Sequence, residues 1–373
     1  MYLKKNRQSS LALLLGKLLI IAILISGCLD QIDFDRPDTI EDGVAIQGKL
    51  VRGTPNYIRV TIRRVFDFSE NARLINAKVV DLIDEDGNRL PIDSSQDGVF
   101  EMEITDDQMA IEFGRNYRLR IELFDNRVYE SEIETILPVP TPVDLNVNTV
   151  VNESINSLGD VVDRDFLAFS VNTPLEVTEG SGNVKMLWEL EATHMFTDSP
   201  ESYSTFACRP VRIDDENKTC FITSSPTTNF VPLDGPSISS NFLSDFTIYE
   251  TTPNSVFSEG YYLTVLQQSL TPTAFEYWPQ VNQVLSRTGN IFEPPAGKVT
   301  TNFFNVNDEN DEVFGYFYAT EEEVLRVFVS PELAGNPPLF CPAPPSENGQ
   351  APGDCCNCLS VFGSTTEIPD WWE

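Results

Sequence analysis

Seven cysteines and a single histidine are the residues whose chemistry bears most directly on the function of this 373-residue chain. Six of the cysteines lie in its second half, at Cys208, Cys220, Cys341, Cys355, Cys356 and Cys358. An even number predicts disulfide bonds if the chain is exported to an oxidising compartment. We expect one bond from Cys208 to Cys220, across a hairpin-like acidic loop, and two bonds within the carboxy-terminal set. The alternative is a tetrahedral zinc site, for which the adjacent Cys355 and Cys356 are poorly placed.

The seventh cysteine, Cys28, lies at the end of an amino-terminal segment that is typical of export. Residues 1–10 are polar and basic, Leu11 to Ile25 are mostly apolar, and Ile25-Ser26-Gly27 precede the cysteine. The apolar run is shorter than the roughly 20 residues that span a bilayer, so it predicts a cleaved signal peptide. Small residues directly before a cysteine resemble the bacterial lipobox. We therefore predict a type II signal peptide over 1–27 and lipidation of Cys28, which would anchor a domain without a transmembrane helix.

The acidic segment after Cys28 bears on which membrane face the protein occupies. Residues 28–42 contain Asp30, Asp33 and Asp35, and we interpret them as a lipidated acidic tether. Acidic residues at this place resemble the surface-export signals of Bacteroidota lipoproteins. We expect the protein on the outer membrane, facing the cell exterior, with a periplasmic orientation as the alternative.

Enzymatic chemistry has little support in the sequence. Nucleophilic hydrolysis usually needs a base beside an activated Ser or Cys, and His194 is the only histidine. We expect His194 to be a surface or capping residue. There is no Gly-x-Ser-x-Gly elbow and no phosphate-binding Gly-x-x-x-x-Gly-Lys motif. We predict that the protein is not an enzyme and has no cofactor; a hydrolase with a carboxylate mechanism is the least favoured hypothesis.

Calcium is the metal that the sequence best fits. Asp84, Asp86 and Asn88 place oxygen ligands on a predicted turn, and residues 307–312 form a second acidic segment. Neither follows the EF-hand spacing, so a solvated hairpin turn is the simpler interpretation of each.

The charge balance excludes one class of partner. The chain has 57 Asp and Glu residues against 25 Lys and Arg, and a formal net charge of −32. Because such a chain repels a phosphate backbone, we expect no binding to DNA or RNA.

The elements that would position these residues are predicted to be mainly strands. Over 43–136, short segments of alternating apolar and polar residues are separated by turns, a pattern typical of an immunoglobulin-like or transthyretin-like β-sandwich. Gly114-x-x-Tyr117 resembles the tyrosine corner of such sandwiches. Residues 137–142 form a Pro-rich linker that interrupts strand pairing.

The rest of the chain is predicted to form a larger β-rich domain over 143–331 and a Cys- and Pro-rich segment over 332–373. One helix is expected, with Thr271 as its cap, Pro272 in its first turn and Gly289 at its end. Pro279 would bend the helix or mark its start. We expect Trp371 and Trp372, near the cysteine cluster, to pack the tail against the domain.

A series of short motifs follows one another along residues 28–373. They are Cys28, Gly114-x-x-Tyr117-x-Leu119, Tyr129-x-Ser131, Tyr262-x-x-Val265, Tyr277-Trp278, Gly289 to Pro295, Asn302, Gly315-Tyr316-Phe317, Cys355-Cys356-Asn357-Cys358 and Pro369-Asp370-Trp371-Trp372. In this order they resemble the Bacteroidota lipoproteins of the domain-of-unknown-function 4249 family, and the resemblance covers roughly residues 28–373.

The resemblance implies a role but no catalytic residue. Proteins of this kind are generally encoded beside TonB-dependent outer-membrane receptors. We expect a non-enzymatic accessory or substrate-capture partner of such a barrel, with a small-molecule, peptide or glycan ligand that the sequence does not identify. The alternative is a stand-alone surface binding protein or adhesin.

Overall fold

The computed structural model describes residues 43–64, 73–155, 158–200, 208, 216–226, 229–285, 299–342 and 353–372. The predicted signal peptide 1–27, Cys28 and the tether 28–42 lie outside the described residues. The described strands are β1 Val44–Arg52, β2 Asn56–Arg64, β3 Ala77–Asp84, β4 Arg89–Pro91, β5 Ser94–Gln96, β6 Val99–Ile104, β7 Asn116–Leu123, β8 Val128–Ser131, β9 Glu134–Thr135, β10 Asp144–Ile155, β11 Val161–Pro174, β12 Lys185–Thr197, β13 Thr219–Ser224, β14 Phe230–Asp234, β15 Phe242–Thr251, β16 Tyr261–Leu270, β17 Phe303–Asn305, β18 Val313–Val329 and β19 Ser364–Thr365. The described helices are α1 Pro272–Leu285 and α2 Gly353–Cys356, with 3-10 turns at Gly235–Ser237, Ser255–Phe257 and Cys358–Ser360.

Three sheets form two layers, so the prediction of a mainly β protein is confirmed. A ten-stranded sheet runs in the order β19-β13-β12-β16-β18-β1-β2-β6-β5, with β14 also paired to β12. A six-stranded sheet, β17-β8-β7-β3-β4 with β9 on β7, lies over one half of it. A three-stranded sheet, β10-β11-β15, lies over the other half. Each half is therefore a sandwich, and the large sheet belongs to both.

The first sandwich is built as alternation predicts. Strand β7 buries every second residue, because successive side chains in a strand point to opposite faces. Its Tyr117 is buried, donates its hydroxyl hydrogen to the Ala110 carbonyl at 2.7 Å and accepts from the Glu112 amide at 3.1 Å. Gly114 has a φ of +74°, a conformation that glycine adopts without a steric penalty. The tyrosine-corner prediction is confirmed.

One long strand joins the two halves. The sequence predicts two strands, over 314–318 and 324–329, but β18 is continuous from Val313 to Val329. Its first part, 313–321, pairs in parallel with β1, and its second part, 322–329, pairs antiparallel with β16. Strand β18 thus changes its pairing partner after residue 321 while its backbone continues. The two predicted strands are the two differently paired parts of this one strand.

The second sandwich has its own core. Trp188, Leu190, Leu263 and Val265 from the large sheet pack against residues of β10, β11 and β15, such as Phe169. The Trp188 indole N–H donates to the Gln267 side-chain oxygen at 2.8 Å, which satisfies its one donor inside the core.

The Pro-rich linker crosses between the halves in contact with the large sheet. Residues 137–142 form no strand, as predicted, yet Val139 is buried. The Val139 amide donates to the Glu321 carboxylate at 2.8 Å, and the Gln267 side-chain amide donates to the Pro140 carbonyl at 2.7 Å. The linker's prolines prevent it from pairing as a strand, so side chains of the sheet form hydrogen bonds with its backbone groups instead.

All six cysteines form disulfides, but the predicted pairing is wrong. The bonds are Cys208–Cys356, Cys220–Cys358 and Cys341–Cys355. Cys208 and Cys220 do not bond to each other, and the carboxy-terminal set contains one internal bond, not two. The adjacent Cys355 and Cys356 are bonded to different partners, so the tail is held to β13 and to the segment of Cys208 at once. The expectation came from proximity in sequence, whereas the pairing depends on how the tail folds back.

Helix α1 lies on the outer face of the large sheet, and it begins where its capping residues predict. The Ala274 amide donates to the Thr271 hydroxyl at 3.2 Å, which caps the helix, and Pro272 occupies its first position. Pro279 lies inside the helix, and the predicted end at Gly289 falls outside the described residues. Among the described residues, no helix is both long enough and apolar enough to cross a membrane.

Candidate functional site

A cleft of about 230 Å³ opens on the outer face of the large sheet, beside helix α1. Strands β1 and β2 form its polar side, and helix α1 with strand β18 forms its aromatic side. Its lining residues are Gln47, Gly48, Lys49, Arg59, Thr61, Arg63, Glu189, Phe230, Tyr277, Trp278, Tyr316 and Tyr318. A concave site that combines aromatic rings with a few convergent polar groups is the usual form of a small-molecule site.

Strand alternation places the polar residues. On β2, Ile58, Val60 and Ile62 point inward to the first core, so Arg59, Thr61 and Arg63 point outward. On β1, Gln47 and Lys49 point outward by the same rule, and they lie opposite Thr61 and Arg59 in the register. These four side chains therefore share one patch of the sheet surface, with Arg63 at its end.

The aromatic side is a packed cluster that holds its shape without a ligand. Tyr277 and Trp278 of α1 lie with their ring centroids 4.9 Å and 5.4 Å from Tyr316 and Tyr318 of β18, respectively. Phe230 lies 4.4 Å from Trp278. Contacts of this kind add to the burial of the rings and restrict their movement. The Trp278 indole N–H is buried and has no acceptor in the described ranges.

Lys49 forms the centre of a buried charge network at one end of the cleft. Its ammonium group lies 2.9 Å from Glu189 and 2.7 Å from Glu322. The Gln268 side-chain amide donates to both carboxylates, at 3.0 Å and 2.9 Å. Burial works against the charge, but the carboxylates outweigh it and the pKa of Lys49 is raised well above its usual value. Lys49 in turn holds the pKa of Glu189 below its usual value, despite burial.

The two arginines of the cleft differ in how their charges are matched. Arg59 lies 3.8 Å from Glu101, and its charge also helps to lower the pKa of Glu189. Burial, and then the charge of Glu189, raise the pKa of neighbouring Glu191. Arg63 is exposed, and no carboxylate of the described residues lies within 4.0 Å of it. The cleft therefore has paired charges at its Lys49 end and, among the described residues, a cation without a carboxylate partner at its Arg63 end.

The predicted calcium residues are brought together, but around an arginine. The Asp84 carboxylate accepts from the backbone amides of Asp86 and Asn88 at 3.0 Å and 2.9 Å, and from the Asn88 side chain at 2.9 Å. The Arg115 guanidinium pairs with Asp86 and lies 3.7 Å from Asp84. These hydrogen bonds and Arg115 lower the pKa of Asp84. No group of three or more potential metal ligands occurs among the described residues.

The second acidic segment, 307–312, is tied to its neighbours through Asp311. Tyr129 donates its hydroxyl hydrogen to Asp311 at 2.6 Å, and the Asn305 side-chain amide donates at 2.7 Å. Arg127 lies 3.8 Å from the other carboxylate oxygen. This carboxylate joins β8 and β17 to the start of β18.

His194 is neither on the surface nor at a cap, so that expectation is wrong. It lies within β12, between Ile222 of β13 and Tyr261 of β16, and is 8% exposed. Burial lowers its pKa to about 4, so the ring is neutral at neutral pH. The reason is that β12 runs from Lys185 to Thr197, so His194 lies inside the strand and is covered by its neighbours β13 and β16.

The sequence prediction named none of the polar cleft residues. A signal was present, since Arg59, Thr61 and Arg63 alternate with apolar residues in a strand of a strongly acidic chain. What the sequence does not show is that residues near 189, 230, 277 and 318 meet that strand face, because those contacts come from the sheet order.

The family model described as domain of unknown function (DUF4249) matches residues 30–326, which is most of the chain. The chain belongs to this family. No curated protein matches it. The cleft residues Gln47 to Tyr318 all lie within the segment that the family model covers.

Proposed function

We propose that this DUF4249 protein is a non-enzymatic outer-membrane lipoprotein that captures a small ligand in the cleft as the accessory partner of a TonB-dependent barrel. The observation that carries the proposal is the cleft itself: a fixed aromatic wall facing polar side chains on a rigid sheet. Sites on strands and helices hold their geometry better than sites on loops, which favours binding by a preformed surface.

The protonation states of the cleft support binding rather than catalysis. A general acid or base works best with a pKa near the operating pH. The pKa of Lys49 is moved up and that of Glu189 is moved down, so both move away from neutrality. His194 is not among the cleft residues. Glu191, whose pKa is raised, is not a lining residue either.

The predicted location completes the proposal. Acyl chains on Cys28 would hold the protein at the outer membrane, and residues 28–42 would act as a tether on the exterior face. A captured ligand would then be close to any barrel in the same membrane.

The partnership is tested by native purification from detergent-solubilised outer membranes, with a tag at the carboxy terminus and mass spectrometry of the co-purified proteins. We expect stoichiometric recovery of a TonB-dependent barrel. Recovery of the lipoprotein alone from an intact membrane extract would overturn the partnership and would favour the adhesin alternative.

Capture is tested by filling the cleft. Thr61→Trp introduces a large ring between Arg59 and Arg63, and Thr247→Trp makes the same change at an exposed position of β15 as the control. A deletion strain first defines which growth substrates need the gene. We expect Thr61→Trp to behave as the deletion, and Thr247→Trp as the wild type, while both variants still co-purify with the barrel. Wild-type growth of the Thr61→Trp strain would reject the cleft as the capture site.

A further inference from the structure

The guanidinium of Arg63, which has no carboxylate partner among the described residues, distinguishes one end of the cleft from the other. Lys49 has two carboxylates within 3 Å, and Arg59 has Glu101 at 3.8 Å, whereas Arg63 has none within 4.0 Å among the described residues. Arg59 and Arg63 are four residues apart on one strand, so their Cα atoms are separated by roughly 13 Å. An anion bound at Arg63 would therefore be remote from Glu189 at the Lys49 end. In a chain of net charge −32, an exposed cation that lines a cleft, and that has no carboxylate partner among the described residues, suits a negatively charged ligand.

We propose that the ligand of the cleft is a hexuronate, that is, a sugar ring that carries a carboxylate, either free or at the end of a glycan chain. This proposal rests on the proposed capture function and specifies its substrate class. The carboxylate pairs with Arg63, whose planar guanidinium matches a carboxylate with two parallel hydrogen bonds. The sugar ring lies over Thr61 and Gln47, against the aromatic wall.

The size of the cleft favours a single ring. Sites for drug-sized ligands have volumes of about 300–1,000 Å³. The cleft measures about 230 Å³, so it accepts one ring with its substituents and leaves a longer glycan chain outside.

The mixture of lining groups favours a sugar ring over other small anions. Aromatic rings offer apolar surface for the C–H face of a sugar, and Thr61 and Gln47 offer partners for its hydroxyls. An aromatic carboxylate would cover these polar groups without pairing them, which is costly for buried donors and acceptors. Inorganic phosphate would use Arg63 and gain nothing from Tyr277 or Trp278.

The test compares acidic and neutral sugars by titration calorimetry on the full-length mature protein. The ligands are glucuronate, galacturonate and mannuronate, each beside its neutral counterpart glucose, galactose or mannose, with benzoate and inorganic phosphate as further probes. The variants are Arg63→Gln and, as a control, Arg118→Gln, which makes the same change at a half-exposed strand residue of the six-stranded sheet.

We expect at least one hexuronate to bind about 10- to 100-fold more tightly than its neutral counterpart, which is the usual range for a hydrogen-bonded charge. Arg63→Gln should remove this preference and leave the weaker binding of the neutral sugar, while Arg118→Gln should change neither. Because Arg63 is exposed and makes no ion pair with the described residues, the variant should fold normally, which its melting curve checks.

Four results would overturn the proposal: equal affinity for acidic and neutral sugars, a hexuronate preference that survives Arg63→Gln, tighter binding of benzoate or phosphate, or no binding of any sugar. These results are separable from failure of the proposed function. If Thr61→Trp still abolishes growth on the substrates that need the gene, capture stands and only the hexuronate assignment is wrong.

Discussion

Two clusters in this protein place one cation among several carboxylates, and they differ in what the cation does. In the cleft, Lys49 bridges Glu189 and Glu322 across strands β1, β12 and β18. At the β3–β4 turn, Arg115 faces Asp84, Glu85 and Asp86, which come from one short stretch of chain. The first cluster joins distant elements, whereas the second neutralises a local turn.

Exposure separates the two clusters further. The side chains of Lys49 and Glu322 are 15% and 7% exposed. In the second cluster Asp84 is buried, but Glu85 and Asp86 are 40% and 66% exposed. A buried charge that loses its partner cannot be solvated by water, but an exposed one can. Removal of the cation should therefore cost more stability in the Lys49 cluster than in the Arg115 cluster.

The largest effect is expected from removal of the buried cation. Lys49→Met should leave Glu189 and Glu322 facing each other with one cation fewer. We expect the free energy of unfolding to fall by about 3 kcal/mol. This value is at the lower end of the range for broken buried ion pairs, because the site is partly exposed. Urea denaturation measures this change. The control is Lys78→Met, which removes an exposed cation 2.6 Å from Glu122 and should have little effect.

A second variant tests whether the cost arises from the orphaned carboxylates. Adding Glu322→Gln to Lys49→Met removes one of the two remaining charges and should recover part of the lost stability. If the double variant is no more stable than Lys49→Met, the loss comes from side-chain packing, and the comparison of the two clusters by charge fails.

The second-largest effect is expected from alkaline pH, which should destabilise the buried Lys49 cluster. The folded-state pKa of Lys49 is raised above 10.5, and those of Tyr57 (to about 12) and Tyr318 are raised above 10.0. A raised pKa means that the folded state holds the proton more tightly, so this stability is complete below the unfolded pKa and is lost as the pH rises through the folded pKa. We expect the melting temperature to fall steeply above about pH 10. Lys49→Met should have a shallower decline, and an equal slope would contradict the role of Lys49.

The elements of this fold were predictable because they depend on local pattern. Alternation located the strands of the first sandwich, Gly114 and Tyr117 located its corner, and Thr271 with Pro272 located helix α1. Each of these signals lies within a few residues, where hydrogen bonding and capping act.

The site and the disulfide pairing were not predictable, because both depend on the order of strands. Lys49 meets Glu189 and Glu322 only because β18 joins β1 to β16 in one sheet. Cys208 bonds Cys356, 148 residues away, because the tail folds back over β13. His194 was misplaced for the same reason, since its burial comes from neighbouring strands and not from its own segment.

A smaller effect is expected from Arg115→Gln at the exposed cluster. The turn keeps its backbone hydrogen bonds to Asp84, so the melting temperature at neutral pH should change little. The small difference from the wild type should shrink in acid. Hydrogen bonds from Asn88, together with Arg115, hold the folded-state pKa of Asp84 below 3.8, and the stability from this lowered pKa is present at higher pH and lost as the pH falls through the folded pKa. The variant should lose part of this stability, so its melting curves should differ less between pH 5 and pH 3 than those of the wild type. A large loss at neutral pH would show that Arg115 is structural, as Lys49 is.

The smallest effect is expected from removal of divalent cations. If calcium bound at Asp84, Asp86 and Asn88, it would compete with the Arg115 guanidinium, which already pairs with these carboxylates. Asp84 also uses both of its oxygens as acceptors within the turn. We therefore expect EDTA to leave the melting curve of the wild type unchanged, and added calcium to leave it unchanged as well. Arg115→Gln frees the carboxylates, so calcium should stabilise this variant more than the wild type. A fall in the wild-type melting temperature in EDTA would show that a metal, and not the arginine, neutralises a site in this protein, and the same measurement on Asp86→Asn would then show whether that site is this turn.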